Sequence, residues 1–257
     1  MGKRRLKERR TIIIRLYTLL GILGLVVLFG GATYGVWRPE VRVENISVSG
    51  LEVIEPHKIG DAVKELIAGS YFHIFPKDSI FLLPVEEVKE TLLVTFPRLE
   101  SIEVSKTGFK DIELSAIERI GSYMWCGVST STPCLLTDST GFIFAEEEKD
   151  LPKVYGRLAH EGSPLANTVF EENALEKVHI LNEALKEVGV SVVRVEFVEP
   201  DEVLLTLSSG PVVQYVLGEE EIIAETFPSV LDGIENLEEI EYIDMRFGKR
   251  VYIKRNE

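Results

Sequence analysis

The sequence predicts an α+β membrane protein with one transmembrane helix, a β-α-α-β-β unit, and a second mixed, β-rich unit whose C-terminal edge strand is exposed. Three observations lead to this prediction. An uncharged run of 22 residues lies near the N-terminus, at residues 16–37. Strand-like and helix-like periodicities then alternate over residues 41–119, and strand-like runs dominate residues 120–257.

The uncharged run has the length and the borders of a transmembrane helix. As a helix it would span about 33 Å, enough for a hydrocarbon core of about 30 Å. Tyr17, Tyr34 and Trp37 lie near its ends, where aromatic rings favour the membrane interface. Residues 1–15 carry seven Lys and Arg against one acid, which predicts a cytoplasmic tail. We therefore expect a single-pass plasma membrane protein with its bulk outside the cytoplasm.

A cleaved signal peptide is the alternative for this segment. Gly31, Ala32 and Thr33 are small residues of the kind found at signal peptidase sites. The apolar core of a signal peptide is about 7–15 residues long, however, which is shorter than the run seen here. The length favours an uncleaved anchor.

The remainder of the chain is strongly acidic. Residues 38–257 contain 21 Lys and Arg against 41 Asp and Glu, a net charge of −20. A body with this charge is not expected to bind nucleic acid, because binding to phosphates requires a positive surface. The simplest explanation of this net charge is that it keeps the protein soluble.

Residues 41–119 predict the β-α-α-β-β unit. A partly alternating run at 41–48 ends at Gly50, and proline opens each of two helical patterns, at Pro56 and Pro84. Two alternating runs around Thr107-Gly108 then predict a hairpin. Its expected buried residues are Ile102 and Val104 on one strand, facing Ile112 and Leu114 on the other.

Residues 120–257 predict the second unit. Short strands at 123–125 and 135–137 flank two cysteines, and a helix follows with Asn173 as its cap and Glu176 completing a capping box. Further strands are expected at 191–198, 202–207 and 212–217, and another helix begins after Glu219. The chain closes with strand-like runs at 242–247 and 250–254.

The cysteines predict a disulfide bond. Cys126 and Cys134 flank a short polar stretch that is typical of a hairpin loop, on the oxidising side of the membrane. The enzymatic alternative is a sortase-like transpeptidase with Cys134 as nucleophile and His73 as its histidine. Sortases place Thr-Leu-x-Thr before the cysteine, whereas Ser131-Thr132-Pro133 stands here, and nothing around Cys134 supplies the activation that a catalytic thiol needs.

No other motif indicates catalysis or a cofactor. The four histidines of the chain are scattered, and the sequence lacks the spacings of zinc, phosphate-loop and serine hydrolase sites. We therefore expect no catalytic residue, no metal, no cofactor and no small-molecule substrate.

Several local patterns resemble the FtsQ/DivIB family of bacterial division proteins, and through their order and spacing the resemblance extends over essentially the whole chain. They lie at residues 43–50, 96–104, 112–119, 136–141 (Leu-Thr-Asp-Ser-Thr-Gly) and 242–247 (Tyr-Ile-Asp-Met-Arg-Phe). The sequence departs from the family pattern at Gly121, where a proline is frequent, and in having two cysteines. It also lacks the C-terminal tail of many Gram-positive members.

The resemblance implies a non-catalytic scaffold of the division machinery at the septum. Residues 41–119 would form a POTRA domain that helps recruitment, and residues 120–257 the β domain of the family. The partners would be single-span coiled-coil proteins of the FtsB and FtsL type, with other membrane proteins of the divisome. In the family, the last strands of the β domain bind these partners by strand addition, as an open strand edge allows.

By resemblance, Arg246 and Phe247 match the partner-contacting end of the C-terminal motif. We predict a partner site that extends from there along the last strand, made of Arg246, Phe247, Gly248, Lys249, Arg250, Val251 and Tyr252. Residues 246–255 hold five bases and no acid, directly after an acid-rich segment at 219–241, so an acidic partner strand is expected.

Two alternatives stay open at this point. The bases of the last strand are also the residues that protect a strand edge from unwanted pairing. The runner-up function is an envelope-assembly or secretion adaptor that carries a POTRA domain, although the many strands of an outer-membrane barrel are absent from the sequence.

Overall fold

The chain forms two compact units, each described here by itself. The computed structural model describes residues 2–128, 133–170, 173–198, 201–248 and 250–256. The first unit comprises Met1–Thr95 and Ser101–Glu118, and the second comprises Phe96–Glu100 and Arg119–Glu257. Both mix helices with sheet, which confirms the predicted α+β class.

The first helix, α1, spans Gly2–Val36. Its segment Ile13–Val36 is long and apolar enough to cross a membrane, and no other helix in the described ranges is. The hydroxyls of Thr18 and Thr33 donate to backbone carbonyls of the helix itself, at 2.8 Å to Arg15 and 2.9 Å to Phe29. The two threonine hydroxyls of the span therefore have partners without water, as a lipid environment requires.

The first unit has the predicted β-α-α-β-β order with one short hairpin added. Its elements are β1 (Asn45–Ser49), α2 (Pro56–Leu66), β2 (Ser70–Tyr71), β3 (Phe75–Pro76), α3 (Val85–Thr95), β4 (Leu99–Lys106) and β5 (Asp111–Glu118). The main sheet has the order β1-β5-β4, with β1 parallel to β5, and β2 pairs with β3 in a separate hairpin. The strand predicted from residue 41 begins later because Pro39–Val41 forms a 3-10 turn.

Helix α2 packs against β1 and α3 over the sheet of the first unit. The apolar positions of the helices and of the β4–β5 hairpin form its core, which includes Ile59, Val63, Val88, Leu92, Ile102, Ile112 and Leu114. The predicted core position Val104 is only half-buried. Burial at helical and alternating spacing explains why these segments were recognisable in the sequence.

The second unit is built on a nine-stranded sheet. Its strands are β6 (Tyr123–Trp125), β7 (Leu135–Thr137), β8 (Ile143–Ala145), β9 (Lys153–Tyr155), β10 (Val192–Val198), β11 (Glu202–Leu207), β12 (Val212–Val216), β13 (Ile240–Phe247) and β14 (Arg250–Arg255). The strand order is β14-β13-β12-β11-β10-β9-β6-β7-β8. The last strand of the chain therefore lies at one end of the sheet.

Two helices, α4 (Ala174–Glu187) and α5 (Glu220–Asp232), pack against each other and contribute to the core of the second unit. Leu175 and Val178 of α4 and Phe227 of α5 are fully buried with the inward positions of the strands. In β11 every second residue is buried, so the strand has one face on the core and one face that remains partly exposed.

The predicted capping box at the start of α4 is wrong. Asn173 adopts a left-handed backbone conformation with φ of 65°, and its side chain makes no capping hydrogen bond. A capping side chain reaches the first turn from an extended backbone, which Asn173 does not have. The short strand β9 was not predicted from the sequence.

Candidate functional site

The candidate site is the free edge of β14. This strand pairs with β13 in antiparallel fashion on one side, and on its other side no strand of the described part of the chain pairs with it. An unpaired edge presents a row of backbone N–H and C=O groups. Residues 250–255 are exposed except for Val251, which is half-buried against the core.

A bulge separates the two ends of the β13–β14 hairpin. Asp244 is opposite Tyr252 and Phe247 is opposite Arg250, so three steps along β13 correspond to two along β14. Gly248 follows with a φ of +64°, a left-handed conformation that glycine adopts without strain. The predicted contact residue Lys249 lies outside the described residues.

Two aromatic side chains lie together at this bulge. Phe247 is 56% exposed and Tyr252 is 51% exposed, and their ring centroids are 5.3 Å apart in an edge-to-face arrangement. We call these two residues the aromatic pair. Rings packed in this way keep a defined orientation while leaving much of their apolar surface in water, which is typical of side chains that anchor a partner.

Arg246 is held by two acids of its own unit. Its guanidinium donates to the Asp244 carboxylate at 2.7 and 2.9 Å and to the Glu202 carboxylate of β11 at 2.7 Å. The bonds from Arg246 hold the pKa of the Asp244 carboxyl below its usual value. Arg246 therefore links β13 to β11, and its predicted contact with a partner remains a prediction.

The bases of β14 differ in their surroundings. Lys254 pairs with Glu241 at 2.7 Å, and Arg255 lies 3.8 Å from Glu239. Arg250 is exposed, and among the described residues no acid is paired with it. Part of the positive charge predicted for this edge is therefore neutralised by the acid-rich segment before β13.

The cysteines lie on the β6–β7 hairpin at the other end of the sheet. Their sulfurs are 1.98 Å apart, at bonding distance, and Cys126 is buried. In this structure Cys134 thus carries no thiol for a sortase-like reaction. His73 belongs to the first unit, where it lies in the turn between β2 and β3. No group of three or more His, Cys, Asp or Glu in the described ranges is arranged to hold a metal ion.

Comparison with known proteins gives two matches. The family profile described as cell division protein FtsQ/DivIB, C-terminal, matches residues 133–246. The chain is also 24% identical over 226 residues to the cell division protein FtsQ of Streptomyces coelicolor, across 85% of this chain and 81% of the relative. The second unit therefore carries a segment similar to the C-terminal domain of the FtsQ/DivIB family. Both matches support the predicted family and, with it, a role in cell division.

The profile match locates the FtsQ/DivIB signal within the second unit. It begins at residue 133, before β7, and ends at Arg246, one residue before the end of β13. Strand β14 therefore lies beyond the matched segment. Two features of the site were not predicted from the sequence, the bulge and the contact of Arg246 with Glu202. Both depend on strand register, which no local sequence pattern of this chain reveals.

Proposed function

We propose that this protein is a non-catalytic, membrane-anchored scaffold of the division machinery and a member of the FtsQ/DivIB family. In this proposal the free edge of β14 binds a strand from single-span coiled-coil division proteins of the FtsB and FtsL type. The observation that carries the proposal is the open outer edge of β14, with the exposed aromatic pair beside it. Strand addition uses edges of this kind, with backbone bonds for affinity and alternate side chains for specificity.

The side chains of β14 suggest which residues a partner strand would carry. Val251 and Ile253 share one face of the strand, and Ile253 is opposite the fully buried Ile243. Ile253 is itself 44% exposed because β14 is the last strand. An added strand with apolar residues at alternate positions would extend the core over Ile253 and remove this apolar surface from water.

Charge suggests the register of the partner. Lys254 and Arg255 already have acidic neighbours, whereas Arg250 is exposed next to the aromatic pair. Acids of a partner strand are therefore favoured near Arg250 and opposed near Glu239 and Glu241. Complementarity of this kind acts on register and on association rate more than on affinity.

The orientation and location of the protein belong to the same proposal. Helix α1 would cross the plasma membrane with its basic N-terminal tail in the cytoplasm and both units outside, at the division septum. A reporter that is active only outside the cytoplasm, fused after the last residue, should be active. The first unit would add further divisome contacts, as the POTRA domain of the family does.

The decisive experiment compares Val251→Pro with Val251→Ala in the full chain in nanodiscs. Proline removes a backbone N–H and obstructs an added strand, yet edge strands tolerate it. We expect Val251→Pro to weaken partner binding by about fivefold or more, since one hydrogen bond contributes about 1 kcal/mol, while Val251→Ala changes it less. If a folded Val251→Pro protein bound the partner with wild-type affinity, the partner site would not lie on β14.

The enzymatic alternative and the adaptor alternative have separate tests. A chain with both Cys126→Ala and Cys134→Ala should still support division if it folds, whereas a transpeptidase would lose its function. Localisation separates a division scaffold from an assembly or secretion adaptor, because only the scaffold is expected to concentrate at the septum.

A further inference from the structure

The hairpin of β2 and β3 lies beside α1 within the first unit. The ring of Phe75 meets the ring of Phe29 edge-to-face at 5.8 Å, and the indole N–H of Trp37 donates to the Ile74 carbonyl at 2.5 Å. Phe29 precedes Trp37 by eight residues, about 12 Å along a helix axis. The hairpin therefore reaches alongside the apolar span rather than stopping beyond its end.

The tip of this hairpin presents apolar side chains to its surroundings. Phe72 is 89% exposed, the highest value among the large apolar side chains of the described residues, and Ile74 is half-exposed. Phe72 and His73 both have positive φ values, 51° and 60°, which residues other than glycine rarely adopt. A strained turn thus holds an aromatic ring where water would surround it.

The backbone of the hairpin is largely paired. Ser70 is opposite Pro76 and Tyr71 is opposite Phe75, and the N–H of Ile74 donates to the Tyr71 carbonyl at 3.0 Å. The carbonyl of Ile74 has its partner in Trp37. Unpaired backbone groups are the main obstacle to placing a turn in lipid, and these bonds lower that cost.

The charge around the hairpin differs from that of the rest of the body. Residues 66–77 contain no acid and one base, Lys77, although residues 38–257 carry a net charge of −20. Lys77 lies 5.2 Å from the ring centre of Tyr71 and 3.3 Å from the Glu87 carboxylate. The Arg42 guanidinium lies 5.8 Å from the ring centre of Trp37 and is bonded to Asp78 at 2.6 Å. Aromatic rings close to basic side chains are typical of the headgroup region of a membrane.

We propose that the β2–β3 hairpin is a second membrane contact of this protein. Its tip, residues 72–74, inserts into the bilayer leaflet that faces the first unit, with Phe72 and Ile74 among the acyl chains and Lys77 at the headgroups. The lipid that surrounds α1 is continuous with the exposed side of the hairpin, which identifies the occupant of this apolar surface as acyl chains. The first unit is thereby held in one orientation against the membrane.

Fluorescence in lipid vesicles that contain the full chain as their only protein tests this proposal. An environment-sensitive fluorophore is attached to His73→Cys, which leaves Phe72 and Ile74 in place. Val27→Cys within α1 is the reference in lipid. Val53→Cys is the reference in water, since Val53 is 56% exposed and follows β1 along the chain. Bromine atoms on the lipid acyl chains quench only fluorophores that reach them.

We expect the fluorophore at position 73 to emit at shorter wavelength and to be quenched severalfold more than at position 53. When Phe72→Ser and Ile74→Ser are added, the emission wavelength and the quenching at position 73 should become those of position 53. Equal, weak quenching at 73 and 53 with strong quenching at 27 overturns the proposal, as does the absence of quenching at 27. No other protein is present, so quenching at 73 cannot arise from a protein partner.

Discussion

The guanidinium of Arg246 donates hydrogen bonds of 2.7 and 2.9 Å to the carboxylate of Asp244, two residues earlier on the same strand. Side chains two residues apart in a strand lie on the same face, so the pair is local. The third contact, to Glu202, is not local and crosses from β13 to β11. Arg246 lies within the bulge itself, next to Phe247 of the aromatic pair.

Replacing Arg246 with alanine should therefore destabilise the second unit. The Asp244 side chain is 9% exposed and would lose its charged partner, a change that costs about 1–3 kcal/mol. Arg250→Ala is the matched control, because Arg250 is exposed and its loss should change the free energy of unfolding by less than about 0.5 kcal/mol. Denaturant unfolding of both variants measures the difference, and equal stabilities would contradict this reading.

The same cluster predicts a pH dependence. Since Arg246 lowers the pKa of Asp244 below its ordinary value of 3.8, the ionised carboxylate stabilises the folded state. This stability is present above the ordinary value and is lost as the pH falls through the lower pKa of the folded state. The gap in unfolding free energy between wild type and Asp244→Asn should narrow on going from neutral pH to about pH 3. For the exposed Glu235→Gln, we expect little gap at either pH.

The aromatic pair predicts an effect on binding without an effect on folding. Phe247→Ala removes a half-exposed ring, so the unit should keep its stability. Partner affinity should fall by about 30-fold, equivalent to about 2 kcal/mol for an aromatic anchor. Ile180→Ala, which removes an exposed apolar side chain from α4, is the control and should bind as wild type does. Calorimetry with the coiled-coil partners distinguishes the two.

The order of elements was predictable because periodicity is a local property of the sequence. Ile59 and Val63 are four residues apart and both fully buried, as the helical spacing of α2 predicts. Leu205 and Leu207 in β11 show the corresponding alternation of a strand. Contacts between distant segments were not predictable in this way. Nothing near Glu202 in the sequence indicates that it meets a guanidinium 44 residues later.

Backbone conformation set a second limit on prediction. Asn173 is a residue type that caps helices well, yet its left-handed conformation prevents the capping bond. The β2–β3 hairpin was likewise not recognisable, since two-residue strands show no alternation. The partner site was predicted from the resemblance of residues 242–247 to a family motif. That β14 has an open edge is seen in the strand order of the sheet.

Two glycines of the first unit should respond to alanine in opposite directions. Gly50 has a φ of +82°, and a Cβ there would lie 2.1 Å from the Ala116 carbonyl oxygen, so Gly50→Ala should cost well over 1 kcal/mol. Gly60 lies inside α2, and a Cβ there would meet no atom within 4 Å. Gly60→Ala should raise stability by about 0.5–1 kcal/mol. Thermal unfolding of both variants checks the sign of each change.

The cysteine pair should stabilise the second unit modestly. A bridge between Cys126 and Cys134 closes a loop with a sequence separation of 8, for which chain entropy predicts about 2–3 kcal/mol. Material taken from the cell envelope without reductant should contain no free thiol by mass spectrometry. The double variant Cys126→Ser with Cys134→Ser should unfold at lower denaturant concentration, and finding two alkylated cysteines in native material would refute the bridge.

The short connection after α1 limits how far the first unit can travel. Helix α1 ends at Val36 and β1 begins at Asn45, and eight residues can extend to at most about 28 Å. Three of the eight form the Pro39–Val41 turn, and Arg42 is bonded to Asp78, so the actual reach is shorter. This unit therefore cannot move far from the end of α1. A molecule that engages it must come to the bilayer surface, which favours binding partners that diffuse in the same membrane.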